Sequence, residues 1–139
     1  MARTSVSPTA LTANGGIDIP AGTTINSTLV TNGVNIPIST SAIPSGPNER
    51  DTFLYITNTA GSDKNVIVRA GVGGGATPGP AFRSGIGDLT VVCHTASGGC
   101  IVGPLESARF AQLDGSVNLD FGTGLTGVLT VFQLPKNNY

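Results

Sequence analysis

Apolar and polar positions alternate along this chain in short runs, and no segment keeps a helical period over ten residues. The clearest run is VNLDF, Val117 to Phe121. Val117, Leu119 and Phe121 fall on one side of an extended chain, and Asn118 and Asp120 fall on the other. That period of two is the mark of a strand buried on one face. Thr24 to Ile38 carries β-branched residues on both sides of Asn32-Gly33, a preferred hairpin turn pair, and predicts a hairpin. FLYIT (Phe53 to Thr57) and VIVRA (Val66 to Ala70), joined by NTAGSDKN, predict a second. LTVVCH (Leu89 to His94) and Ile101-Val102 flank the turn sequence TASGG. Arg109 to Leu113, Asp114-Gly115 and Val117 to Phe121 predict a further hairpin. VLTVFQL, Val128 to Leu134, is apolar on both faces, so a central sheet position or a subunit contact is expected.

About eight short strands with turn signals every 8–12 residues predict an all-β chain. The expected fold is a single-domain antiparallel β-sandwich, or a jelly-roll or barrel-like relative. Residues 1–22 are rich in Thr, Ala, Ser and Gly without strong periodicity. They are expected to form a flexible N-terminal arm ahead of a β-sandwich domain over residues 23–139.

Composition sharpens this picture mainly through charge. Only 11% of the 139 residues are charged, against about 25% in ordinary soluble domains. Thr, Ser, Asn and Gly supply the polarity. Two accounts fit: Thr-rich strands with Gly/Asn turns have this composition by nature, or much of the surface lies against other protein, where charge is depleted. The net charge is −1 and the basic residues are scattered singly, which argues against a nucleic-acid partner. No apolar run has the length of a membrane helix, and MARTSVSPTALTANGG lacks the apolar core of a signal peptide. Synthesis in the cytoplasm is therefore expected.

Candidate chemistry is sparse. The glycine-rich stretch GVGGGATPGPAFRSGIGD, Gly71 to Asp88, follows a strand as a phosphate loop would. Its two prolines forbid a helix directly after it, and no lysine ends it, so a nucleotide site is not expected. Cys93 and Cys100 with a single histidine, His94, cannot fill a zinc site. Two readings of the cysteines remain, a disulfide across a hairpin or two small buried thiols. His94 lacks a nucleophile-elbow motif, and Glu49 and Glu106 each have an arginine nearby, at Arg50 and Arg109. The run Asp114 to Asp120 lacks the glycine and glutamate positions of a calcium loop. Neither an enzyme activity nor a cofactor is expected.

Four blocks in order carry a resemblance: TFLYITNTAGSDKNVIVRAG, SGIGDLTVVC, GPLESARFAQLDGSVNLDF and VLTVFQLPK, within residues 50–136. Together they resemble capsid decoration, or cement, proteins from the head gene clusters of tailed bacteriophages of actinobacteria. The resemblance implies a virion structural protein on the capsid exterior that binds the major capsid protein and stabilises the head across subunit boundaries. It further implies a homo-oligomer, with a trimer favoured. Tail or fibre subunits, and host-surface recognition modules, are the competing readings. If the chain is a cement protein, two segments are candidate contacts with the capsid or a neighbouring copy. One is the N-terminal arm, with Arg3, Val6 and Leu11. The other is the glycine-rich loop, with Phe82 and Arg83 as anchors. Phe82 reads equally well as a cap on its own core.

Overall fold

The computed structural model describes residues 2–37, 52–71, 87–105, 107–112 and 115–134. In chain order its elements are β1 (Thr4–Ser5), β2 (Thr9–Ala10), β3 (Thr23–Ile25), α1 (Ser27–Asn32), β4 (Val34–Ile36), β5 (Thr52–Thr57) and β6 (Lys64–Val68). Then follow β7 (Leu89–Cys93), β8 (Gly99–Val102), a single helical turn α2 (Ser107–Phe110), β9 (Val117–Phe121) and β10 (Gly127–Gln133). The strands form two sheets. The first has the order β1-β4-β9-β6-β7 and the second β2-β10-β5-β8, with β3 also paired to β10. The architecture is all-β and consistent with a sandwich. Both sheets are mixed, because β1 runs parallel to β4 and β2 runs parallel to β10.

One core lies between the sheets, and alternation along each strand selects its members. From the first sheet come Val34, Ile36, Val66, Val68, Val117, Leu119 and Phe121. From the second come Leu54, Ile56, Val102, Leu129 and Val131. VNLDF behaves as its alternation predicts, with Val117, Leu119 and Phe121 buried and Asn118 and Asp120 half-buried. The doubly apolar strand VLTVFQL takes a central place: β10 pairs with β5 on one side and with β2 and β3 on the other.

Three predicted hairpins are corrected. Between β3 and β4 the chain forms α1 rather than a turn at Asn32-Gly33. The Asn26 side chain accepts a hydrogen bond from the Leu29 N–H at 3.0 Å, an N-cap that starts the helix. Gly33, at φ 75°, ends it, and its N–H donates to the Leu29 carbonyl. The same Asn-Gly pair therefore serves as a helix stop. β5 and β6 do not pair with each other; they belong to different sheets, so NTAGSDKN crosses between layers. Within it Asn58, 4% exposed, donates to the Cys93 carbonyl at 2.7 Å, and its side-chain oxygen accepts the Ala60 N–H. This asparagine fixes the crossover where the hairpin turn was expected. Finally, residues 107–110 form the turn α2, and β9 pairs with β4 and β6 instead.

The N-terminal residues also join the fold. β1 lies on the first sheet and β2 on the second, so residues 2–10 cross from one sheet edge to the other, and Val6 enters the core at 7% exposure.

A substitution pair tests the assignment of faces. Leu54 is fully buried on β5 and Ile101 is 66% exposed on β8. Leu54→Ala should cost about 2–5 kcal/mol of unfolding free energy, and Ile101→Ala no more than about 0.5 kcal/mol, read from urea denaturation. Comparable losses at both positions would mean that the second sheet is inverted.

Candidate functional site

What the two sheets present outward differs in kind. On the first sheet the outer positions include Asn35, Asn65, Asn118, Asp120 and Thr90, and an ionic chain crosses them. The Arg3 guanidinium donates to Asp120 at 2.6 Å and to the Leu119 carbonyl at 2.8 Å. The opposite oxygen of Asp120 accepts a hydrogen bond from Arg69, which in turn reaches Asp88 at 2.7 Å. Asp88 also accepts the Ala70 N–H at 2.7 Å. Desolvation opposes ionisation of Asp120, but the hydrogen bonds from Arg3 and Arg69 outweigh it and hold the carboxyl below the usual carboxylate range. Asp88 is lowered chiefly by the Ala70 N–H.

The second sheet is built otherwise. None of its strands, β2, β3, β5, β8 or β10, contains Asp, Glu, Lys or Arg. Its outward positions follow from register. Ile101 stands opposite Tyr55, and Tyr55 opposite Thr130. In the adjoining row Phe53 stands opposite Phe132, their rings stacked with centroids 5.3 Å apart. Ile101 is 66% exposed and Tyr55 46%. Phe53 and Phe132 are half-buried, and Leu134 just beyond β10 is exposed. The result is an uncharged sheet face carrying aromatic and aliphatic side chains in contact with solvent. A cavity of about 410 Å³ opens beside it, lined by Tyr55, Ser97, Gly98, Gly99, Cys100 and Ile101. Gly99 (φ 151°) is required there, because a Cβ would collide with the Ile56 carbonyl of the adjacent strand.

Cys93 and Cys100 are joined in a disulfide that ties β7 of the first sheet to β8 of the second. It lies at the end of the sandwich next to the uncharged face. His94, beyond β7, pairs with Asp63 at 2.9 Å, and Asp63 also accepts the Thr95 N–H. That backbone bond, followed by the histidine, lowers the Asp63 carboxyl below its ordinary range. A second cavity of about 320 Å³ is lined by Leu89, Gly103, Pro104, Leu105, Arg109 and Phe110. Its guanidinium is committed: Arg109 donates to the Gly87 carbonyl and stacks 4.9 Å from the Phe110 ring centre.

The sequence-derived contact residues do not gather at one place. Arg3 is bound to Asp120 on the first sheet, Val6 lies in the core, and the Leu11 N–H donates to Gln133 at the end of the second sheet. Phe82 and Arg83 lie outside the described residues, as do Glu49 and Glu106. The uncharged face was missed from sequence, although FLYIT already places Phe53 and Tyr55 opposite the core residues Leu54 and Ile56.

No protein-family model, no curated protein and no solved structure matches the chain. Among the described residues no group of three or more His, Cys, Asp or Glu is placed to hold a metal, and no helix is long and apolar enough to cross a membrane.

Two outcomes follow from this chemistry. Asp88 and Asp120 have lowered folded-state pKa values, so the stability they contribute is complete above the ordinary carboxylate range near pH 4. It is lost as pH falls through the lowered values. Asp120→Asn should cost about 1–2 kcal/mol at neutral pH and flatten the decline of the urea midpoint below pH 4. An unchanged acid slope would remove Asp120 from the network. For the disulfide, closure of a loop with a sequence separation of 7 should contribute about 2–3 kcal/mol. Protein unfolded in alkylating agent without reductant should therefore take up no label, and Cys93→Ser/Cys100→Ser should melt earlier.

Proposed function

We propose that this chain is a virion structural protein that decorates the capsid of a tailed phage. It attaches to the major capsid protein through the outer face of the second sheet. The observation that carries this reading is the segregation of charge: the strands of one sheet have none, and the other sheet displays a four-residue ionic chain. Attachment through the second sheet removes Ile101, Tyr55, Phe53 and Leu134 from water without desolvating a charged group of this chain. Aromatic anchors of this kind are what protein interfaces concentrate at their centres. The first sheet then faces solvent and keeps the particle surface wettable. The role is adhesive, with no catalytic step and no cofactor.

The resemblance in residues 50–136 supplies the biological setting, and the homo-oligomer it implies belongs to the same proposal. A shell presents the same site many times, so a modest contact at each copy sums to a large stabilisation of the assembly.

The test is binding of purified protein to expanded, undecorated phage capsids. Wild type should bind stoichiometrically at symmetric positions. Ile101→Glu should weaken binding at least tenfold while leaving the melting temperature unchanged, because the side chain is exposed in the free protein. Thr90→Lys, exposed on the first sheet, should bind as wild type does. Failure of wild type to bind, or equal binding by Ile101→Glu, would overturn the proposal.

A further inference from the structure

The N-terminal segment is held by contacts that belong to the sheets rather than to its own neighbourhood in sequence. Thr4 pairs with Val34 and Ser5 with Asn35 on the first sheet, and Thr9 pairs with Phe132 and Ala10 with Gln133 on the second. The Thr4 and Val6 N–H groups donate to Gly33 and Asn35 at 3.0 Å, and the Leu11 N–H donates to Gln133 at 2.8 Å. Arg3 clamps Asp120, and Val6 fills a place in the core. Residues 2–10 thus complete both sheets, with two residue pairs on each.

The connection from this segment to β3 has a different character. Every residue from Thr12 to Ile19 is exposed. Beyond the Leu11 N–H bound to Gln133, its one backbone hydrogen bond among the described residues, from the Gly15 N–H to the Thr12 carbonyl, is internal. Ile17 is 37% exposed and Ile19 95%, the most exposed large apolar side chain described. Pro20 biases Ile19 towards an extended conformation, and in an extended chain Ile17 and Ile19 project to the same side. The twelve residues from Leu11 to Gly22 reach about 40 Å when extended. That is roughly twice the ~19 Å between the outer strands of a five-stranded sheet.

We infer that copies of this chain exchange their N-terminal segments, each inserting residues 2–10 into the two sheet edges of a neighbour. Every contact named above is then remade between copies, with no loss of the Arg3–Asp120 pair or of Val6 from the core. The connecting residues become the junction between molecules, and Ile17 and Ile19, uncovered in the single chain, bury against their counterparts. Exchange of an identical element is a low-cost route to association for this reason. The partner is a second copy, and the inference needs no capsid, so it stands or falls separately from the attachment proposed above.

The register supplies the test. Ala10 and Gln133 are partners across β2 and β10, and neither is a core residue. A version carrying A10C is co-produced with a longer, tagged version carrying Q133C, purified through the tag, concentrated to about 1 mM to match the effective concentration of a short tether, and oxidised. Exchange predicts a reducible species with the summed mass of the two versions, and peptide mapping places its bond between the two introduced thiols. Ile17→Ser/Ile19→Ser in both versions should cut its yield at least fivefold without moving the melting temperature. The inference is overturned if the mixed species is absent while a single chain carrying both A10C and Q133C closes its internal bond. It is equally overturned if the serine variants cross-link as well as wild type.

Discussion

The register between β5 and β10 decides which side chains of the second sheet are buried and which face out. Leu129 opposite Ile56 and Val131 opposite Leu54 set four core side chains between the sheets. Because side chains alternate along a strand, the same register forces Phe53, Tyr55 and Phe132 outward. A slip of one residue along either strand would turn its outward side chains into the core and its core side chains out to solvent. The core and the uncharged face are therefore two consequences of one pairing. β10 also receives β2 and β3 on its other edge, so the N-terminal segment depends on the same strand.

The first sheet complements this arrangement. Asp120 stands outward on β9 because Leu119 and Phe121 on either side of it are buried. It is bound by Arg3 from the N-terminal segment and by Arg69 from the end of β6. Such a bridge stabilises by about a kilocalorie per mole where partly exposed, far less than the core does. Its structural effect is positional: it fixes where residues 2–10 enter the first sheet, while Val6 fixes their depth. The disulfide at the opposite edge ties the two sheets together between β7 and β8. The sandwich is thus joined at one side by a strand that crosses between layers and at the other by a covalent bond.

Much of this was legible in the sequence, and the failures have physical causes. The all-β class, the alternation of VNLDF and the central place of VLTVFQL follow from periodicity, which depends only on which face a residue buries. Partner choice does not. NTAGSDKN carries turn signals whether the chain reverses within a sheet or crosses to the other, and the deciding contact, Asn58 to the Cys93 carbonyl, is 35 residues away. Asn32-Gly33 satisfies both a hairpin turn and a helix stop, and the Asn26 cap tips the balance. β1 and β2, with two residues each, are too short to leave a periodic signal, and β2 finds its partner β10 at the far end of the chain. The uncharged face needed the register of three strands before Ile101, Tyr55 and Phe132 could be recognised as neighbours.

A density map of capsids mixed with the protein would show which side of the sandwich meets the shell, because its two faces are chemically distinct and their orientation can be read from the map. The account predicts that β5, β8 and β10 lie against the shell, with Tyr55 and Ile101 in contact with the major capsid protein and the Arg3–Asp120–Arg69 chain turned to solvent. A map with the ionic face against the shell, or with the protein located on the tail, would contradict it.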